Sequence, residues 1–325
     1  MHYQALVTVE LPKVERDFEY EQKMKERIST LKLLKEKSDI CNVLNYFLMG
    51  HFICISTAFG RELTKSVHEV MDEFSFETEN KKYLCFDDQT EEYLKQYNQK
   101  IDCIKFADGS YVELDVPAVK GKFIIRDGKV FQMAAGPLKH PKRTKRAKRM
   151  EAVLNCHRKK VYGSFYSFVH EYCYGVKDEE TGRYGTWYNP NGCHDGFQIG
   201  GRWPAVFLVN KNCEEICFGE REHIGSEHYP APNGYVWVSA ARKKDIEWQA
   251  MREWFDDQKL DIPKEWKYPF RVATIFCTGK SLHVDDQVYQ EDAKKWVSID
   301  WRTVVDDFID NLDENAVLVT VDYHW

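Results

Sequence analysis

Between Tyr184 and Trp203 the chain reads YGTWYNPNGCHDGFQIGGRW, and turn formers, aromatic rings and convergent polar groups lie closer together there than a connector needs. Long loops holding such mixtures tend to carry function. Asn189-Pro190-Asn191-Gly192 sets a turn through side-chain to backbone bonds and the locked proline φ. Gly200-Gly201 lets backbone approach closely, and Arg202 offers a planar fork of donors suited to phosphate or carboxylate. Asn189, Asn191, His194, Gln198, Arg202 and Trp203 are therefore the candidate ligand-binding residues. Near the C-terminus, Asp322 and His324 are two apart on a predicted strand, so both project from one face, within reach of Asp195 or Arg202 if the loop folds over that sheet. A carboxylate-oriented imidazole is acid–base equipment. His324, Asp322 and Asp195 are the candidate catalytic residues, although such a network can equally stitch a long loop and the C-terminus to the core.

A second constellation is cationic. Lys142, Arg143, Lys145, Arg146, Lys148 and Arg149 follow Pro141 on what reads as a helix, and His157, Arg158, Lys159 and Lys160 continue the charge. Such density is what phosphate neutralisation requires, with Tyr162, Phe165, Tyr166 and Phe168 near enough to offer stacking surfaces. The alternatives are a solvated helix or pairing with the acidic residues gathered in the C-terminal half. A third set, Cys213, Cys217, His223 and His228, has the ligand types of a tetrahedral zinc site, with a shorter gap between its pairs than zinc fingers use. No cofactor is expected otherwise. The chain lacks a phosphate-binding Walker loop, a dinucleotide glycine fingerprint, a nucleophile elbow and a His-Glu-x-x-His pair.

These groups need a scaffold, and 325 residues with 43% hydrophobic and 14% aromatic content can build one large or two ordinary domains. The opening His2–Glu10 alternates as a strand. Residues 14–38, 61–74 and 89–99 carry helical spacing. From Ile101 to Met133 the pattern becomes a β-meander with Asp-Gly turns, and Gly136-Pro137 marks a junction, giving parts 1–138 and 139–325 that may interweave as one domain. Aromatic residues 161–174 suggest a helix. Strands are expected near 205–209, 235–239, 271–278 and 316–323, with helices at 243–258 and 301–312. Hairpins and helices without regular βαβ alternation indicate an α+β fold with mixed or mainly antiparallel sheets, and the first and last strands are expected in one sheet.

No apolar run reaches membrane-spanning length; the longest, Val43–Phe59, is interrupted by polar residues and reads as a buried helix leading into a strand or turn. The N-terminus carries no export signal, and the ten cysteines sit mostly among apolar neighbours, as reduced core thiols do. These features point to the cytoplasm, without membrane partners.

Asn189-Pro190-Asn191, His194-Asp195-Gly196-Phe197, Ile199-Gly200-Gly201-Arg202-Trp203 and the ending Val321-Asp322-Tyr323-His324-Trp325 together resemble a family of uncharacterised proteins from bacteria and their phages. That family usually has Trp-Asp-Trp where this chain has His194-Asp195-Gly196, and Cys where it has Tyr323. Residues 14–160 lie mostly outside the likeness. The resemblance implies a phage or mobile-element setting, for which host cytoplasm and antagonism of host defence are fitting, but it implies no activity. The leading expectation is a binding protein for nucleic acid, nucleotide or a nucleoprotein partner. The alternatives are a hydrolase or nuclease acting on a phosphate-bearing substrate, and a zinc-stabilised interaction protein.

Overall fold

A computed structural model describes residues 2–37, 57–117, 119–133, 141–202, 206–219, 230–259, 262–290 and 294–324. The fold is α+β, with mixed and antiparallel sheets. The chain forms two compact units, one of residues 1–83 with 189–325, the other of residues 84–188. The junction expected between 138 and 139 lies outside the described residues, within the span of the second unit. So does the predicted 43–59 helix lie outside them, except for its last residues.

The first unit is organised on a seven-stranded sheet whose centre is made by the two ends of the chain. The opening strand His2–Val9 runs antiparallel to the closing strand Val317–His324, with His2 opposite His324 and Gln4 opposite Asp322. Thr274–Cys277 extends the sheet in parallel beyond the opening strand. Along the free edge of the closing strand, Ala240–Arg242 pairs its first half and Gly196–Ile199 its second. The two-residue period then sorts side chains to opposite faces. Ala5, Val7, Val317, Val319 and Val321 face Leu63, Val67 and Met71 of the helix Ala58–Asp72. Leu6, Ile275 and Leu318 face Met251, Trp254, Val305 and Ile309 of the helices Trp248–Asp257 and Trp301–Asp310, with the ribbon Phe207–Asn210/Tyr235–Val238. Each fully buried aliphatic side chain contributes about 1.5–3 kcal/mol, so the terminal strands sit where most apolar surface is removed from water. Thr57 starts the first of these helices by accepting a hydrogen bond from Gly60 N, and Asp300 starts the last by accepting from Thr303 N.

A buried ion pair secures the chain as it leaves the opening strand. Arg242 Nη2 donates to Glu215 Oε1 at 2.9 Å, and Arg242 also donates to the carbonyls of Leu11, Pro12 and Asn315. Val14 N donates to the same carboxylate at 3.0 Å. The guanidinium holds the Glu215 carboxyl below its ordinary range.

The second unit begins and ends on paired strands, Cys85–Asp88 against Tyr184–Tyr188. The expected meander is instead divided between two three-stranded sheets. Lys100–Lys105 lies between Tyr111–Glu113 and Glu151–His157, while Phe123–Arg126, Lys129–Met133 and Pro141–Lys142 form the other. The Asp-Gly reading holds locally: Asp127 and Gly128 both take left-handed φ, +49° and +64°, as a two-residue hairpin turn requires. The aromatic segment is not one helix. Gly163, at φ +71°, ends a short turn at Lys159–Tyr162; Phe165–Phe168 then passes into a π-helical turn, Val169–Cys173.

Candidate functional site

A cluster of polar and titratable groups in the first unit lies at the end of the central sheet, on the face that elsewhere carries Leu6 and Leu318. The period of two continues that row along the closing strand as Thr320, Asp322 and His324, and along the opening strand as Gln4 and His2. Asp322 is flanked by Gln4 on one side and Gln198 on the other; His324 is flanked by His2 and Gly196. Apolar packing thus gives way to polar groups within one row.

Two carboxylate–imidazole pairs result. His2 Nδ1 donates to Asp322 Oδ1 at 2.8 Å, and His324 Nδ1 lies 2.8 Å from Asp195 Oδ1. An ionised carboxylate only accepts, so each ring carries its proton on Nδ1 when neutral, leaving Nε2 as a lone-pair acceptor. The ring centroids are 5.1 Å apart. The Asp322 side chain is 3% exposed and that of His2 31%, whereas His324 and Asp195 are about half open, at 46% and 52%. The inner pair is framed by the sheet and the outer pair meets solvent.

The glycines of the loop explain how this packs. Gly201 has φ +50°, and a Cβ there would fall 2.1 Å from Asp322 Cβ; Gly200, at φ +73°, would meet Ser239 Oγ at 2.5 Å. Only a chain without side chains at both positions can cross Asp322 this closely. The crossing delivers Arg202 N to Asp322 Oδ2 at 3.1 Å and leaves the Arg202 guanidinium in solvent, with Nε 4.0 Å from the same oxygen. Gly196 clears space for the His324 ring, since a Cβ there would lie 2.9 Å from its Cε1.

The chain matches no family model, and no curated protein or solved structure is detectably similar to it. Function must therefore be argued from the side chains themselves.

Of the catalytic candidates, Asp195, Asp322 and His324 come together, with Arg202 beside them. His2 was missed by sequence reading, although its place on the opening strand and the expected sharing of one sheet were the signals that could have found it. Gln198 is half-buried next to Asp322. Three ligand candidates prove to be turn and core groups. Asn189 donates to the Glu73 and Ser75 carbonyls and accepts from Asn191 N, which fixes the turn and leaves Asn191 exposed. His194 is 2% exposed and bonds through Nε2 to the Met71 carbonyl at the end of the helix Ala58–Asp72. Burial pushes its imidazole below the ordinary value, which suits a neutral structural ring better than a ligand contact. Trp203 lies outside the described residues.

The cysteines of the zinc reading are committed to different cores: Cys217 is buried with Val317 and Val319, whereas Cys213 packs against the opposite face. His223 and His228 lie outside the described residues. Among the described residues no group of three or more His, Cys, Asp or Glu side chains is arranged to hold a metal.

The cationic segment of the second unit is not the helix that its spacing predicted. Pro141–Lys142 pairs with Gln132 and Met133, Thr144 Oγ1 bonds to Gln132 and accepts from Ala147 N, and one 3₁₀ turn, Ala147–Arg149, leads into the strand Glu151–His157. Buried Ala147 pins that turn to a core of Ile104, Val119, Phe123 and Val130. Pairing and burial override helical propensity here. Lys142, Arg143, Lys145, Arg146, Lys148 and Arg149 are all exposed and have no carboxylate partner among the described residues. Lys159 and Lys160 are exposed as well.

Arg158 departs from this group. It is 6% exposed and donates to Glu113 through Nε at 3.0 Å and to the Gln96 carbonyl at 3.0 Å, with its guanidinium 4.7 Å from the Tyr172 ring centroid. It is a core cation, and polyanion contact is not open to it. The expected stacking surface also contracts: Phe168 is fully buried and Tyr162 donates to Glu113, while Tyr166 is 57% exposed.

Proposed function

We propose that the protein binds nucleic acid through the cationic face of its second unit. The observation that carries this reading is the set of six exposed cations between Lys142 and Arg149, none with a carboxylate partner among the described residues. They extend a stretch, residues 119–149, with eleven Lys and Arg and a single acidic residue. The unit as a whole has 19 basic against 14 acidic residues, and the first unit 27 against 38, so the positive charge is local to one unit of an acidic protein. A solvated cationic surface attracts polyanions, and displacement of their counterions supplies the affinity. Lys159 and Lys160 belong to the same reading. The family resemblance adds a phage or mobile-element setting, in which the nucleic acid or nucleoprotein of a host defence system would be a natural target.

The test is the triple charge reversal Lys145→Glu, Arg146→Glu, Arg149→Glu in the full chain. Binding to duplex DNA should weaken, and the slope of log K against log salt should become shallower by roughly three, since each phosphate contact contributes about 0.9. Unchanged retention on DNA and on heparin would refute the reading.

A further inference from the structure

We propose that His2 and His324 form the acid–base pair of a phosphodiester-cleaving site in the first unit, with RNA as the substrate class. This goes beyond nucleic-acid binding and rests on that reading only for the choice of RNA among phosphodiesters. The geometry supplies three parts. Two imidazoles stand side by side, with centroids 5.1 Å apart. Each is oriented through Nδ1 by its own carboxylate at 2.8 Å, which leaves Nε2 of each as the nitrogen with a lone pair. The Arg202 side chain, 55% exposed, is kept near Asp322, with Nε 4.0 Å from its Oδ2, by its own backbone bond to that oxygen.

That set matches the demands of internal transfer at an RNA linkage. The Nε2 lone pair of one imidazole takes the proton of the 2′-hydroxyl as the 2′-oxygen bonds to phosphorus. The bond from phosphorus to the 5′-oxygen breaks, and the other imidazole, protonated, gives its Nε2 proton to that departing oxygen. A 2′,3′-cyclic phosphate and a 5′-hydroxyl leave, solvent resets the two protons, and no further reactant enters. Two rings are needed because one proton is removed while another is donated. Arg202 is the donor placed to stabilise negative charge growing on the phosphoryl oxygens. Asp322 and Asp195 are positioning residues that fix tautomer and ring direction. DNA lacks the nucleophile and is not a substrate.

Among the described residues, the charged and titratable groups facing the two rings are Asp322 on the closing strand, Asp195 before the strand Gly196–Ile199, and Arg202 after it; buried His194 stands one residue from Asp195. A pH–rate profile with both an acidic and a basic limb is expected from one imidazole acting neutral and the other protonated.

The experiment uses the full chain with the dinucleotide CpA and its all-deoxy counterpart, monitored for cyclic phosphate. Wild-type protein should cleave CpA and leave the deoxy form intact. His2→Asn and His324→Asn should each lower kcat by about 10²-fold or more and remove one limb of the profile. Asp195→Asn alters only an exposed side chain, so its fold is secure; it should shift the limb belonging to His324. Intact CpA with wild-type protein, equal cleavage of the deoxy form, or full activity in both histidine variants would overturn the assignment. Retention on immobilised DNA, read on the same preparations, separates failure of this site from failure of the binding surface.

Discussion

The two units use charge in opposite ways. In the first, Asp322, Arg242 and Glu215 are enclosed by strands and answered by partners, so their positions are set by the fold. In the second, the cations from Lys142 to Arg149 ride on a hairpin edge and one turn, exposed and without a carboxylate partner among the described residues. A partnered buried charge is a structural commitment whose loss is felt as instability. An unpartnered exposed charge costs the fold nothing and is free to act on something outside. Arg158 shows that the distinction follows environment and not sequence neighbourhood, since it sits next to Lys159 and Lys160 yet is buried on Glu113.

Arg242→Met should produce the largest effect. It strips the partner from a nearly buried Glu215 and unpairs the carbonyls of Leu11, Pro12 and Asn315; breaking such a pair from one side costs about 3–5 kcal/mol. Chemical denaturation checks this. The pH dependence should also weaken. In the native protein the Glu215 carboxyl is held below its ordinary value, so its stabilisation is complete above the unfolded value, about 4.3, and is lost as pH falls through the lower folded value. Without Arg242, burial is opposed only by the Val14 N–H and Lys244, so the stabilisation that this carboxylate loses on acidification should shrink. A variant with native stability and the native acid limb would show that the pair contributes little.

Much of the scaffold was legible in residue types. Helices at Ala58–Asp72, Trp248–Asp257 and Trp301–Asp310 follow from apolar spacing, and the sharing of one sheet by the terminal strands was anticipated. The nearness of Asp322 and His324 was legible because alternation on a strand puts both on one face whatever the rest of the fold does. His2 was not found, because its role depends on register, and register is set by long-range packing of Leu6 and Leu318 that no local pattern encodes. The cationic helix failed for the same kind of reason. Lys, Arg and Ala favour a helix locally, but burial of Ala147 and pairing of Pro141–Lys142 decide otherwise.

Gly201→Ala probes how closely the loop and the partnered site depend on each other. The left-handed φ costs a non-glycine residue roughly 1–2 kcal/mol, and the new Cβ would fall on Asp322, so either the loop or the carboxylate that holds His2 must shift. The expected result is a lower melting temperature together with reduced CpA cleavage, measured on the same sample. Native melting with native cleavage would mean that the crossing has slack and that Asp322 is not held by it.

The smallest effect on stability belongs to the charge reversal at Lys145, Arg146 and Arg149, and that smallness is itself informative. None of the three has a carboxylate to lose among the described residues, and only Arg146 makes a ring contact, 5.5 Å from the Phe123 centroid. Exposed substitutions of this kind usually stay within about 0.5 kcal/mol, and relief of repulsion among six neighbouring cations offsets the lost ring contact. Denaturation midpoints should therefore match those of the unmodified protein while DNA binding is lost. A large destabilisation would instead reveal that these cations are answered within the protein, and the contrast between the two units would fail at its simplest point.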